Sequence, residues 1–398
     1  MSFFITGIID LIDAMLKLFR ITTVPVSLEK LLTGQLQFMS QYYDITAISS
    51  DKDHMERFGK EQGLKTYHIE FTRQITLLKD LKALCRLYNY IKNEKPDIVH
   101  THTPKAGLIG MLAAWLAKVP YRLHTVAGMP LMETTGLKRQ ILNITEKITY
   151  KCATKVYPNS VGLKTFIENQ SFCHPDKLKI IAGGSSNGID TSFFSRENVS
   201  IAHQKQLQSA LGIKQNDVVF CFVGRLVKDK GINELVNAFI VLNNSYKDTK
   251  LLLVGPYEKE LDPLDENIEY TIKTNPAIIE TGFQDDVRPY LSISNIFVFP
   301  SYREGFPNAV LQAGAMNLPC VVTDINGCNE IITNNVNGII IPPKNMQELQ
   351  DAMIDLYIDE NKRQKLSSVA REKITSRYDQ SYVWHELLKE YQSLKNNA

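Results

Sequence analysis

Short apolar runs recur along the chain and alternate with longer stretches in which apolar residues return every three or four positions. In the first half, "LFRITTVP", "YDITAIS", "KTYHIEF", "PDIVHTH", "YRLHTVAG", "TKVYPNS" and "LKIIAGG" read as strands of one parallel sheet. After "GGSSNGID" the rhythm restarts, and "VVFCFVG", "KLLLVG", "AIIETG", "IFVFPS", "PCVVTD" and "GIIIPP" read as a second sheet. Helical patterns separate most of these runs. One is "LLKDLKALCRLYNYIKNE", which puts Leu81, Leu84, Cys85 and Tyr88 on one face.

The alternation predicts an α/β protein of two doubly wound parallel-sheet domains, residues 1–188 and 189–378, with a cleft between the C-terminal edges of the sheets. The glycine and serine cluster at 183–188 reads as the hinge. Residues 379–398 predict a last helix with Trp384, Leu387, Leu388, Tyr391 and Leu394 at helical spacing. It either caps the second domain or crosses back to the first. The chain shows no short internal repeat and no low-complexity segment.

Composition narrows this picture without changing it. A chain of 398 residues accommodates two cores, and 44% hydrophobic with 22% charged residues is ordinary for a soluble globular protein. No stretch reaches 18 uncharged apolar residues, so no transmembrane helix is expected. The opening "MSFFITGIIDLIDAMLKLFR" lacks a basic start and a small-residue cleavage site, and Asp10 and Asp13 interrupt its apolar run, unlike a signal peptide. Phe4, Ile8, Leu11, Ile12 and Met15 instead predict an amphipathic helix within residues 1–17. That helix lies on a membrane interface, packs on the first domain, or belongs to a non-native upstream start. The six cysteines are scattered and form no CxxC pair, which fits reduced, mostly buried thiols in a cytosolic enzyme.

Charge adds one feature. The overall +2 divides into +7 on residues 1–190 and −5 on residues 191–398. Unless this is chance asymmetry, the first half faces something anionic, a membrane surface or phosphates. The basic stretch "METTGLKRQILNITEKITYKCATK", with Lys138, Arg139, Lys147, Lys151 and Lys155, fits either peripheral attachment to an anionic membrane or a solvated helix face. No nucleic-acid partner is expected.

Chemistry concentrates in two segments, "FVGRLVKDKGINEL" (222–235) and "PSYREGFPNAVLQ" (300–312). In the first, a buried strand ends at Gly224, and Arg225 and Lys230 precede a helix. Two cations beside a helix N-terminus at a sheet's C-terminal edge make an anion site suited to a diphosphate, the alternative being a solvated basic loop. In the second, Glu304 precedes Gly305, Phe306, Pro307 and Asn308 at a strand-to-helix junction. Gly305 allows close backbone approach, Pro307 suits a first helical turn, and Asn308 bonds a hydroxyl or caps the turn. A carboxylate accepts two sugar hydroxyls at once, although Glu304 could also simply complement the helix dipole. Together the segments imply a ligand with both a diphosphate and a hydroxyl-rich group, a nucleotide sugar.

These two stretches, their order, and "NGID" at 187–190 resemble glycosyltransferase family 4, retaining enzymes of the GT-B fold, from about residue 18 onward. Within it the chain looks most like bacterial enzymes that assemble capsule, O-antigen and other surface glycans. The resemblance implies transfer from a nucleotide sugar, a UDP-sugar, to a glycan or lipid-linked acceptor; no cofactor and no metal are expected. It implies that Arg225 and Lys230 grip the donor diphosphate and that Glu304, with the backbone of Gly305 to Asn308, holds the transferred sugar. The family's second acidic position, which holds the ribose, falls on Gln312, which keeps an acceptor but loses charge assistance. In "ETGFQDDVRPYL", the positions of Gly282, Phe283 and Gln284 match the loop that contacts the base, while Asp285 and Asp286 read as helix caps.

The first domain is less specific. In "HTHTPKAG", His102 and Lys105 are acceptor-side candidates, Lys105 for an acceptor phosphate, whereas His100 reads as a satisfied core residue. The position where many family members carry a histidine falls on Ala127, and His124, three residues earlier, points to the opposite face of its strand. The first loop, "TTVPVSLEKLL", lacks the family's glycine pair, and Ser27 is its candidate N-cap. A nucleotide-sugar epimerase of the same fold and a non-catalytic nucleotide-sugar-binding partner are the competing readings.

Overall fold

Parallel strands covered by helices on both faces are apolar on both sides, and runs of the second half such as "VVFCFV" and "IFVF" meet that requirement. The computed structural model describes residues 15–72, 76–129, 131, 134–258, 260 and 262–395. The helix expected over residues 1–17 lies outside them up to residue 14, and Lys17 already opens a strand. The chain divides into two compact units.

The first unit contains the described residues up to Pro158, then Ile167–Lys179 and Leu388 onward. It comprises β1 (Lys17–Ile21), α1 (Pro25–Leu31), α2 (Gln35–Met39), β2 (Asp44–Ser49), α3 (Lys52–Gln62), β3 (Lys65–His68), α4 (Leu77–Glu94), β4 (Ile98–His102), α5 (Pro104–Leu116), β5 (Tyr121–Val126), α6 (Gly136–Cys152) and β6 (Lys155–Pro158). The strands form one parallel sheet in the order β3-β2-β1-β4-β5-β6, which reverses direction between β1 and β4. A helix α7 (Val161–Asn169) follows β6.

Three local expectations are corrected here. Ser27 caps nothing: Pro25 starts α1, its fixed φ and missing N–H suiting the first position, and Val24 takes the cap place. "LKIIAGG" forms no strand beyond a bridge between Leu178 and Val156, because Ala182 and Gly183 turn into the left-handed region at φ 50° and 70°. On α4 the buried residues are Ala83, Leu87 and Ile91, while Leu81 and Cys85 are exposed and Leu84 and Tyr88 half-buried. The rings of Phe19, Tyr90 and Tyr67 stack in series, 5.4 Å and 3.6 Å between centroids, and this turns the Tyr90 side of the helix onto the sheet.

The second unit contains Asn159–Phe166 and Ile180–Leu387. After α8 (Ile201–Ala210) it runs β7 (Val218–Val223), α9 (Ile232–Ser245), β8 (Thr249–Val254), α10 (Glu266–Thr274), β9 (Ile278–Glu280), α11 (Arg288–Ser292), β10 (Ile296–Phe299), α12 (Asn308–Ala315), β11 (Cys320–Thr323), α13 (Cys328–Ile331), β12 (Gly338–Ile341), α14 (Met346–Ile358), α15 (Glu360–Tyr378) and α16 (Gln380–Lys395). Its parallel sheet has the order β12-β11-β10-β7-β8-β9 and reverses between β7 and β10. Residues 183–188 lie in this unit, where Ser185 N donates to Asn159 O at 3.0 Å.

The last helix contributes to both units, Gln380–Leu387 to the second and Leu388–Lys395 to the first. In the second, Trp384 Nε1 donates to Asn187 Oδ1 at 2.7 Å. In the first, Tyr391 reaches a fully buried Arg20, whose Nη1 donates to the phenol oxygen at 3.0 Å. Arg20 Nη2 also donates to Gln35 Oε1 at 2.6 Å and meets His102 Nε2 at 2.9 Å. A guanidinium only donates, so His102 Nε2 accepts and the imidazole is neutral. Burial, with Arg20 beside it, pushes the His102 pKa down in agreement.

Candidate functional site

Ligands of open α/β sheets bind at the strand ends where the order reverses, and in the second unit those ends belong to β7 and β10. The two segments singled out in the sequence follow these two strands. After β7, Gly224 N donates to Val254 O at 2.9 Å, and Leu226 N to Pro256 O at 2.8 Å. The exit of β8 therefore runs alongside the exit of β7, and this places Glu258 against Arg225, with Nη1 to Oε2 at 2.5 Å. Both side chains are more than a third exposed, so the pair is weak and the guanidinium stays exchangeable.

A single turn, Lys228–Lys230, then leads to Gly231 and α9. Gly231 has φ 70°, and a Cβ there would stand 2.1 Å from Pro300 O. Only glycine fits. This close approach joins the two segments: Tyr302 N donates to Asp229 O at 2.8 Å, and Arg303 pairs with Asp229 at 2.9 Å. It also delivers Lys230 to Glu304, and the ammonium and carboxylate form a direct ion pair, 13% and 16% exposed. Ser301 Oγ donates to the same Oε1 at 3.0 Å and so fixes the carboxylate.

Beyond Glu304, Gly305, Phe306 and Pro307 are buried and Asn308 is exposed. Pro307 takes the cap position and α12 starts at Asn308, so the positive end of that helix lies at the end of this turn. The Phe306 ring meets Tyr378 edge-on at 5.2 Å, which anchors the turn in the core. Gln312 stands four residues after Asn308, hence on the same face of α12. Burial, and secondarily the charge of Glu304, push the Cys328 thiol up, so this buried cysteine at the start of α13 is not a nucleophile.

The remaining candidates fall elsewhere. Gly282, Phe283 and Gln284 lie between β9 and α11. There Phe283 is 60% exposed and Gln284 Nε2 donates to Thr281 O at 2.8 Å. Asp286 accepts from Arg288 N at 2.9 Å at the start of α11, a capping contact, and pairs with the Arg288 guanidinium. In the first unit, His102 is 2% exposed and directed onto Arg20, so it does not present a ligand surface. Lys105 has its charge met by Asp80, at 2.7 and 2.8 Å, and is mostly buried. His100 is a satisfied core residue between Tyr391 and Thr125, at 2.5 and 2.7 Å. His124 is buried against Thr101 at 2.8 Å, and half-buried Ala127 follows the end of β5. Sequence reasoning missed Ser301 and Glu258. Only the first had a signal, a lone hydroxyl at the exit of an apolar strand.

Residues 203–373 match the family model "Glycosyl transferases group 1", and residues 32–160 match "Glycosyl transferase 4-like". The chain is 31% identical over 372 residues to the capsular polysaccharide biosynthesis glycosyltransferase CapM of Staphylococcus aureus, covering 93% of this chain and 95% of that protein. It is 30% identical over 356 residues to the Escherichia coli UDP-Gal:alpha-D-GlcNAc-diphosphoundecaprenol alpha-1,3-galactosyltransferase, covering 85% and 89%. In fold it is similar to Anabaena HepE in complex with UDP, with a TM-score of 0.76 over 95% of this chain and 100% of that one, at 18% identity. The two parallel sheets, the paired segments at their reversal and these relatives agree: the chain belongs to the family 4 glycosyltransferases of the GT-B fold, with the enzymes that build bacterial surface polysaccharides.

Proposed function

We propose that this glycosyltransferase moves a sugar from a UDP-sugar to a lipid-linked glycan, with retention of the donor's anomeric configuration. The observation that carries this reading is the contact of Lys230 with Glu304 at the reversal of the second sheet. One side chain suits a diphosphate and the other a sugar, and they touch. In the reaction the bond from the anomeric carbon to the diphosphate oxygen breaks, and a bond to the acceptor hydroxyl oxygen forms on the same face. The hydroxyl proton passes to the departing diphosphate. Arg225, Lys230 and the N-terminus of α12 stabilise the charge that grows on that leaving group. Glu304 accepts hydroxyls of the transferred sugar, Gln312 binds the ribose, and Gly282 to Gln284 meet the base.

The Escherichia coli relative acts on a diphosphoundecaprenol-linked sugar, which supports a lipid-linked acceptor and work at the inner face of the cytoplasmic membrane. On the acceptor side, the small side chain of Ala127 at the exit of β5 leaves room for the incoming glycan. His102 and Lys105 have no direct part in this reading, since His102 Nε2 is held by Arg20 and the Lys105 ammonium by Asp80.

The test is a panel of nucleotide sugars incubated with and without diphosphoundecaprenol-linked acceptors. Acceptor-dependent release of UDP, with the donor's anomeric configuration kept in the product by NMR, is expected. Conversion of donor in the absence of any acceptor would identify an epimerase, and inversion in the product would remove the retaining mechanism.

A further inference from the structure

The strands of the second sheet stand in the same order as the parts of a nucleotide sugar. Along its edge the sequence β10, β7, β8, β9 is contiguous and parallel, so four strand exits share one side. Glu304 follows β10, Arg225 and Lys230 follow β7, and Gly282 to Gln284 follow β9. The donor reading above gives these exits the transferred sugar, the diphosphate and the base. In the ligand the ribose joins diphosphate to base, and between β7 and β9 stands the exit of β8. Neighbouring strands lie about 4.8 Å apart, so the four exits span about 14 Å for a ligand laid across them.

The exit of β8 is pressed against that of β7, since a Cβ on Gly255 would stand 1.8 Å from Gly224 O. Tyr257 is turned the other way, its phenol donating to Glu280 Oε2 at 2.6 Å across to β9. Glu258 comes next, 35% exposed, with Oε2 accepting from Arg225 Nη1 at 2.5 Å. Other acids at this edge hold the loops themselves. Asp262 Oδ2 accepts from Asp229 N at 2.7 Å, and Asp265 pairs with Lys228 at 2.7 Å. Glu258, like Glu304, is bonded instead to a cation that the diphosphate takes over.

We propose that Glu258 binds the ribose hydroxyls of the donor and gives the site its preference for ribonucleotides. The inference rests on the donor reading, in which Gln312 meets the ribose as a neutral acceptor, and adds a carboxylate from a different strand exit. Once the Arg225 guanidinium turns to phosphate oxygens, Glu258 is left as an anion beside an anion. Two adjacent ribose hydroxyls relieve this, because one carboxylate accepts both and such charge-assisted bonds are about twice as strong as neutral ones. A bare diphosphate takes the guanidinium and gives the carboxylate nothing in return. Glu258 therefore favours the ribonucleotide and disfavours pyrophosphate, two effects of opposite sign on one residue.

Isothermal titration of the full chain with UDP, 2′-deoxy-UDP and inorganic pyrophosphate tests this. Wild type should bind UDP about tenfold more tightly than 2′-deoxy-UDP. Glu258→Ala should bring the two within about threefold and bind pyrophosphate at least as tightly as wild type. Glu258→Gln, with a neutral acceptor, should fall between them. Thermal unfolding shows that the variants are folded, and a loosened loop would weaken all three ligands together. The assignment would be overturned by a tenfold preference that persists in Glu258→Ala, or by a wild type without one. A variant that weakens all three ligands alike would make Glu258 a support for Arg225. One that strengthens all three alike would make it only a competitor for the guanidinium, and either result overturns the ribose role. Failure of the wild type to bind any of the three would refute the donor site of the proposed reaction itself, and this assignment with it.

Discussion

Replacing Glu304 by glutamine keeps the shape of the side chain and its bond from Ser301 but removes the charge that holds Lys230. A diphosphate arriving in the wild-type site has to compete with Glu304 for that ammonium. Two unit charges about 4 Å apart attract by about 4 kcal/mol at an effective dielectric constant of about 20. Water and the rearranged lysine return most of this, and a residue of ~1.4 kcal/mol corresponds to a tenfold change in affinity. Glu304→Gln should therefore bind UDP at least as tightly as wild type, and up to about tenfold more tightly. Transfer should fall by about a hundredfold, because a charge-assisted bond to the sugar worth ~3 kcal/mol is lost at the step that breaks the glycosidic bond. Isothermal titration with UDP and single-turnover transfer measure the two effects, and thermal unfolding confirms that the variant is folded. Lys230→Met should change in the other sense, losing UDP affinity. A folded Glu304→Gln variant that no longer binds UDP would refute the reasoning, since the carboxylate would then be serving the nucleotide rather than the sugar.

Arg225→Ala should lower the transfer rate by about a hundredfold with an unchanged unfolding midpoint, because its exposed pair with Glu258 is worth at most about 1 kcal/mol; full activity in initial-rate assays would remove Arg225 from the site. Gly231→Ala should cost about 2 kcal/mol or more in urea unfolding, since φ is 70° and the new Cβ would collide with Pro300 O, and an unchanged midpoint would contradict that geometry. Acid should destabilise the protein through His124, whose pKa burial lowers to about 4 against about 6.5 unfolded. The unfolded state binds the proton first, so stability present above about pH 6.5 is lost as pH falls toward about 4, with about 2 kcal/mol gone by pH 5. His124→Gln should flatten the pH dependence of urea midpoints between pH 7 and 5, and an unaltered slope would exclude this histidine.

The architecture was legible because buried parallel strands have no polar face to confuse the reading. "VVFCFV" and "IFVF" are apolar at consecutive positions and have no other stable place than the middle of a covered sheet. The segments after these strands could be paired on paper because strand ends at a reversal are where open sheets bind ligands. Which face of a helix packs was not legible in the same way. On α4 one apolar stripe includes Leu81 and Tyr88 and another is formed by Ala83, Leu87 and Ile91, and periodicity ranks them equally. The aromatic stack of Tyr90 on Tyr67 and Phe19 decides, and that contact joins residues remote in sequence.

Charge partners obey the same limit. Arg225 meets Glu258, 33 residues away, because the exits of β7 and β8 lie side by side. Asp229 and Arg303 join across the exits of β7 and β10. No local pattern marks these acids as partners, since an exposed carboxylate in a loop looks alike wherever it ends up. A buried cation is different, and Arg20 shows what could have been read from it. "KLFRI" places a guanidinium in the interior of an apolar strand, where it must find acceptors or destabilise the fold. Ala47 and His100 stand opposite Arg20 on the neighbouring strands, neither of them an acid, and the acceptors that converge on it are neutral. They are Gln35, His102 and Tyr391, the last 371 residues away. The arginine in β1 thus makes the end of α16 a structural part of the first unit, and Tyr391 reaches His100 from the same place. The two histidines of "HTH" thereby hold this helix, His100 through Tyr391 itself and His102 through Arg20.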